Sequence, residues 1–236
     1  MRLLLEAVFD LLFPPRCLGC EEQLPFCRPP LFCGNCRAKI VPFAHSCSQR
    51  DAFSCTTRSL FIYQEPISSL LVRLKFNGDL SGLASLAALA REARAESLLQ
   101  EPDFILPVPL HLSRLRWRGF NQALLLAKAC FPSWKDRIRV NLLQRHRPTV
   151  PQLGLSGAER RSNLLGAFSL RNPSALAGRR VLLVDDVFTT GSTLRECAEV
   201  LSQTGAAKVV AFTVARAHVY NKTTEGLAGQ LQNCLP

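Results

Sequence analysis

No apolar run in this 236-residue chain approaches the roughly 20 residues of a membrane-spanning helix. The first stretch, MRLLLEAVFDLLFPP, is apolar but carries Glu6 and Asp10 and lacks the small-residue cleavage site of a secretion signal. It predicts an amphipathic helix over residues 1–16 that packs on its own protein, with membrane-surface contact as the alternative. A cytoplasmic location is the expectation. Acids are scarce, 18 against 29 lysines and arginines, for a net charge of +11. They are scarcest between Leu110 and Arg180, where only Asp136 and Glu159 oppose a long series of arginines and lysines; that segment carries the whole excess. Such a field attracts polyanions, either a pyrophosphate or a nucleic-acid backbone. A solvated basic face without a partner is the plain alternative. The glycine–lysine–serine/threonine that grips the phosphates of a nucleoside triphosphate is missing, which argues against that class of loop. Without a secretion signal, the 10 cysteines argue for metal or reduced thiols over disulfides. A hydrophobic share of 47% is enough for a real core, so disorder is not the default.

What is present is organised around residues 178–194, GRRVLLVDDVFTTGSTL. Val181 to Val184 form a short apolar run bounded by charge and turn residues, which suits a buried parallel strand. Asp185 and Asp186 follow. Thr189, Thr190, Gly191, Ser192 and Thr193 then open onto a helix expected from Leu194 to about Thr204. A loop leaving a strand and entering a helix points free N–H groups and the positive end of the helix dipole at one spot, a ready anion site. The carboxylates would repel the same phosphate and read as acceptors for neighbouring hydroxyls or a magnesium shell. Phosphoribosyl pyrophosphate (PRPP) combines a phosphate, a vicinal diol and a metal-bound pyrophosphate and matches that division of labour. A strand, a turn and a capped helix without ligand is the competing reading. The stretch resembles the PRPP-binding motif of type I phosphoribosyltransferases. The resemblance implies that Asp185 and Asp186 hold the ribose 2′- and 3′-hydroxyls, and that Thr189 to Thr193 cradle the 5′-phosphate.

Near the start, Cys17-x-x-Cys20 and Cys33-x-x-Cys36 form two knuckles whose four sulfurs can complete a tetrahedron around zinc. Two disulfides in an exported protein are the competing reading. Cys27 is expected to be a spare thiol. Cys47 and Cys55 look like knuckles whose second cysteines have become Arg50 and Arg58, and His45 with these two sulfurs would make only an irregular second site.

Further along, Ser54 to Phe61 reads as a linker, Phe61 to Tyr63 as a strand, and Ile67, Leu70, Leu71 and Leu74 as one face of a helix ended at Lys75. Ser81 is the expected N-cap of a helix to about Leu99. Phe104 to Pro109 is a strand candidate turning into a loop over His111 to Phe120, with Arg114, Arg116 and Arg118 at alternate positions; a helix over Asn121 to Cys130 follows. Leu142-Leu143 suggests a short strand. Arg145 to Asn163 is polar, basic and broken by Pro and Gly, so a mobile loop is expected, either closing over phosphate or inert. The last core strand is expected at Lys208 to Val214, with a loose tail over 218–236.

Taken together, the chain resembles the ComF family, which joins an N-terminal zinc ribbon to a phosphoribosyltransferase-like domain. The knuckle cysteines, LKFNG at Leu74 to Gly78, VPLHLSRLRWRGFNQA from Val108 to Ala123, the stretch from Arg145 to Phe168 and VLLVDDVFTTGSTL carry the likeness. It implies an α/β fold of the type I phosphoribosyltransferase kind, a doubly wound, mostly parallel sheet with helices on both faces. A zinc ribbon over residues 17–58, its second half degenerate, precedes that domain at 59–217. It also implies magnesium with PRPP, and a role in natural transformation or use of external DNA, beside DNA-uptake machinery at the cytoplasmic face of the membrane. Lys75 and some of Arg114, Arg116, Arg118, Arg145, Arg147, Arg160 and Arg161 would face pyrophosphate. A transferase would move phosphoribose to a nucleobase or amine that the sequence does not identify. A binding protein would instead sense PRPP and hold single-stranded DNA, with Trp117 and Phe120 stacking bases beside Arg118 and Asn121. An aromatic pair near a helix start serves equally well as a core anchor.

Overall fold

The apolar runs at Val181 and Val209 become the centre of a sheet, because strands covered on both faces need apolar residues at nearly every position. The computed structural model describes residues 14–25, 28–43, 55–147 and 165–217. Strands β1 (Thr56–Ile62), β2 (Phe104–Pro107), β5 (Arg180–Phe188) and β6 (Lys208–Arg216) pair in the order β1–β6–β5–β2, all parallel. A second, antiparallel pair joins β3 (Leu143–Arg145) to β4 (Phe168–Leu170). The helices are α1 (Gly34–Ala38), α2 (Ile67–Val72), α3 (Leu83–Glu92), α4 (Leu112–Arg118), α5 (Gln122–Cys130) and α6 (Ser192–Ser202). Among the described residues, no helix is long and apolar enough to cross a membrane.

Two apolar layers sandwich the sheet, and strand periodicity assigns residues to them. Leu182 and Val184 of β5 and Phe212 and Val214 of β6 pack with the apolar residues of α2, α3 and α5. Val181, Leu183 and Ala211 face the other way, toward Leu194, Cys197, Ala198 and Leu201 of α6 and the β3–β4 pair. The sheet is parallel with helices on both faces, the doubly wound α/β arrangement expected from the sequence. The cysteine knuckles lean on this domain: Leu18 joins the α2–α3–α5 layer, the Leu31 N–H donates to Ser85 Oγ (3.0 Å), and Arg37 pairs with Glu92.

Several local expectations are corrected. Most of the expected linker is strand: Thr56–Ile62 is the edge strand β1, whose polar Ser59 is accommodated by a buried 2.7 Å hydrogen bond to Thr213 on β6, while Ser54 lies outside the described residues. The acid pair does not follow the strand but lies within it, because pairing with β6 continues through Asp185↔Thr213 to Phe188↔Arg216. The same pairing carries β6 past Val214 to Arg216. Gly82, not Ser81, precedes α3; the helix stops at Glu92, and a 3₁₀ turn at Ala95–Leu98 follows Arg94 in the left-handed region (φ 50°). His111 to Phe120 is largely helix: the His111 ring accepts the Ser113 N–H (3.3 Å), and Gly119 closes α4 at φ 81°. The 1–16 helix up to residue 13, Cys27, His45, Cys47, Arg50, Arg160, Arg161, most of the expected mobile loop and the 218–236 tail lie outside the described residues.

Candidate functional site

Successive residues on β5 point to opposite faces, so its two adjacent carboxylates enter two different environments. Both are buried, Asp185 at 9% and Asp186 at 5% exposure. The Asp186 N–H donates to Asp185 Oδ1 (2.9 Å), and the Val187 N–H donates to Asp186 Oδ1 (3.0 Å). On the α2–α5 side, Asp186 Oδ2 meets Lys75 Nζ at 3.1 Å. Lys75 arrives there on a π-helical turn, Arg73–Asn77, that continues α2 and is closed by Gly78 at φ 65°. Such turns widen a helix locally and recur at functional sites. Arg118 stands on the same side, 5.9 Å from the Phe76 ring and bonded to Gln122 Oε1 at 2.5 Å. On the α6 side, buried Arg145 lies 5.4 Å from the Phe168 ring, and its charge and the Cys197 thiol both act on Asp185 or feel it.

These surroundings push the two acids apart. Burial and the adjacent Asp186 charge raise Asp185 well above the usual carboxylate range. Burial opposes ionisation of Asp186 as well, but Lys75 outweighs it and holds Asp186 low. Burial also works against the Lys75 ammonium, and Asp186 and Asp185 more than offset it. Burial, with Arg114 nearby, lowers both Arg118 and Arg145.

Beyond Phe188 the chain turns through exposed Thr189 and Thr190 to Gly191, which sits at φ 71° immediately before α6. A side chain there would strain the left-handed backbone by about 1–2 kcal/mol, so glycine suits this turn. Ser192, 6% exposed, shares a 2.8 Å hydrogen bond with Thr190, and Thr193 is half-buried in the first helical turn. The first N–H groups of that turn have no partner within the helix. The acid pair, the hydroxyl turn, Lys75, Arg118 and Arg145 thus gather around the carboxyl ends of β5 and β2, where open α/β sheets bind ligands.

Of the other expected residues, Arg116 and Arg147 are exposed, and Arg114, half-buried on α4, is close enough to act on both Arg118 and Arg145. Trp117 is no core anchor: it is 69% exposed, on a helix with no buried residue. Phe120 is half-buried against the α2–α3–α5 layer. Both ends of the Asn121 amide are engaged, Oδ1 by the Ala123 N–H (2.9 Å) and Nδ2 by the Val108 carbonyl (3.0 Å), so this side chain caps α5 and ties it to the end of β2. Sequence reading did not single out Gln122, which is buried and anchors Arg118; a polar residue on an otherwise apolar helix face was its only signal.

The four knuckle sulfurs lie within 4.8 Å of one another. Thiolates at about 2.3 Å from a shared tetrahedral zinc stand roughly 3.8 Å apart; Cys20 and Cys33 Sγ are 3.6 Å apart. Although burial raises the Cys17 thiol, backbone N–H groups of Cys33, Cys20 and Gly19 bring it down to about 6, whereas burial and neighbouring thiols push Cys36 up to about 12. The donor set fits zinc.

A family model for the phosphoribosyl transferase domain matches residues 142–233, which include the acid pair and the hydroxyl turn. The chain is 37% identical over 210 residues to competence protein F of Haemophilus influenzae, covering 85% of this chain and 90% of that protein. It is 37% identical over 205 residues to the DNA utilization protein YhgH of Salmonella typhimurium, covering 82% and 81%. With competence protein ComFC of Bacillus subtilis it shares 32% identity over 214 residues, covering 85% and 83%.

Proposed function

Because the chain belongs to the family of competence protein F and the DNA utilization proteins, we propose that it binds PRPP with magnesium in the cytoplasm, as part of DNA uptake or use. The observation that carries this reading is the buried Asp185–Asp186 pair near the carboxyl end of a parallel strand, whose last residues, Val187 and Phe188, lead into a hydroxyl turn on a helix N-terminus. The carboxylates accept the ribose 2′- and 3′-hydroxyls, the turn from Thr189 to Thr193 takes the 5′-phosphate, and Lys75, Arg118 and Arg145 face the diphosphate. Magnesium supplies charge neutralisation of the diphosphate when bound. The four-cysteine knuckle holds a structural zinc ion.

Titration of PRPP and magnesium into the parent protein and into Asp185→Asn/Asp186→Asn tests the reading. A loss of at least tenfold in the variant is expected; equal affinity would remove the assignment. Release of diphosphate with a nucleobase or amine present would make the protein an active transferase. Electrostatic stabilisation of the leaving diphosphate by Lys75 and the arginines would then be the main catalytic contribution.

A second binding activity, for single-stranded DNA, is favoured by the exposed Trp117 set among Arg114, Arg116 and Arg118, an aromatic platform beside phosphate-seeking cations.

A further inference from the structure

The acid pair already has a cation. Asp186 Oδ1 is taken by the Val187 N–H, and Oδ2, the oxygen left over, meets the Lys75 ammonium at 3.1 Å. That ammonium stands where a hard cation would approach the carboxylate, and the two differ in one respect: the lysine is tethered. Its tether is well held at the base, since the π turn that carries it is fastened by Arg73 to Asp79 (2.8 Å) and closed by Gly78 in the left-handed region. The side chain itself is not packed away, with 34% of its surface exposed against 7% for Asp186. Arg118, on the same side of the sheet, is differently placed: its guanidinium is fixed by Gln122 and lies beside the Phe76 ring. Asp186 therefore faces one anchored cation and one that can swing on a flexible four-carbon stem.

Two adjacent carboxylates buried in one strand repel each other, and leaving both without a counter-charge is costly. Lys75 supplies that counter-charge from within the chain. We propose that Lys75 is an exchangeable counter-cation: its ammonium holds the place at Asp186 that a divalent cation takes when a metal-bound sugar diphosphate binds, and it then swings onto the oxygen anions of that diphosphate. The ammonium stays protonated throughout, and only the ion pair changes partner. This rests on the sugar-diphosphate reading of the site and adds the order in which its parts assemble. A divalent cation alone must evict Lys75 with nothing to receive it, so it binds weakly. The same cation arriving with a diphosphate gives Lys75 a new charge-assisted partner, so metal and diphosphate bind cooperatively.

The test uses the full-length zinc-loaded protein and manganese as the only added ligand, with free Mn²⁺ read by electron paramagnetic resonance. Manganese is a hard cation that oxygen donors favour over thiolates, which keeps the knuckle out of the measurement. Lys75→Met is expected to bind Mn²⁺ at least tenfold more tightly than the parent, and Lys75→Met/Asp186→Asn is expected to lose that gain. Lys75→Gln, whose amide can still donate to Asp186, is the second neutral variant should Lys75→Met fail to fold, and tighter Mn²⁺ binding is expected there too. Unchanged or weaker Mn²⁺ binding in the folded neutral variant overturns the exchange, as does a gain that survives Asp186→Asn. The two readings fail separately. Loss of the PRPP result with the Mn²⁺ result intact removes the sugar and leaves the cation exchange; the reverse leaves the sugar site and removes the role of Lys75.

Discussion

Gly19, in the turn between Cys17 and Cys20, lies against Pro66, the residue that precedes the helix leading to Lys75. A Cβ built on Gly19 stands 2.8 Å from Cys36 Sγ and 3.0 Å from Pro66 Cβ. Neither neighbour is a flexible chain end: one is a metal-ligand candidate and the other a ring at a helix start. Gly19→Ala is expected to destabilise the protein by about 1–3 kcal/mol, as overpacking does. It should also weaken metal binding, read as a loss of cobalt(II)–thiolate absorbance. A variant with the parent's absorbance and melting temperature would show that the knuckle yields freely.

One zinc per chain is expected on metal analysis, lost on Cys33→Ser. Because Leu18, Leu31, Phe32 and Ile40 of the knuckle region pack against the α2–α3–α5 layer, removal of the metal is expected to lower the melting temperature of the whole domain and not of the knuckle alone. Zinc retained in Cys33→Ser would overturn the four-thiolate site.

Asp185 is held above its usual range by burial and by Asp186, and this fixes the sign of one pH effect. A carboxyl whose folded pKa is raised binds more protons in the native state. Its contribution to stability therefore falls as pH rises from the unfolded value, about 3.9, through the folded value. Asp185→Asn removes this penalty and is expected to raise the melting temperature at pH 7 and above, by roughly 2–4 °C for each kcal/mol relieved. Asp186 runs the opposite way: Lys75 holds it low, so its stabilisation is present above the unfolded value and is lost as pH falls through the lower folded one. Thermal melts of both asparagine variants across pH separate the two; a destabilised Asp185→Asn at neutral pH would contradict the assignment.

Trp117 is 69% exposed and touches no core, so Trp117→Ala should leave the unfolding free energy within about 0.5 kcal/mol of the parent. If it stacks a base, the same change weakens single-stranded DNA binding by about 1–3 kcal/mol while leaving the salt slope unchanged. Arg114→Ala or Arg116→Ala should instead flatten that slope by one phosphate contact. Binding isotherms at several salt concentrations read both, and unaltered affinity in Trp117→Ala sinks the stacking role.

Short-range chemistry was legible without coordinates. The knuckle spacing, the apolar run before the acid pair and the hydroxyl turn before a helix are each fixed within a few residues, because ligand bite, strand burial and helix entry are local constraints. The α6 helix and the β2, β5 and β6 strands follow from the same kind of signal. Local signals misled where neighbours in space decide the outcome. Thr56 and Ser59 look like linker residues, yet pairing with β6 makes them sheet, and Thr213 satisfies the Ser59 hydroxyl. Residues 112–118 show an apolar spacing too weak to announce a helix that buries nothing.

The order of residues alone determined that two carboxylates, a hydroxyl-rich turn and four thiols would be available; that Asp185 and Asp186 lie inside the strand, and so on opposite faces, came only with the pairing to β6. Which groups meet them was decided only by the folded sheet. Lys75 reaches Asp186 because α2 covers one face of β5, and Arg145 nears Asp185 because β3 and α6 cover the other. Those pairings join segments far apart in the chain, and no spacing rule within one segment can encode a contact that depends on which layer covers which side.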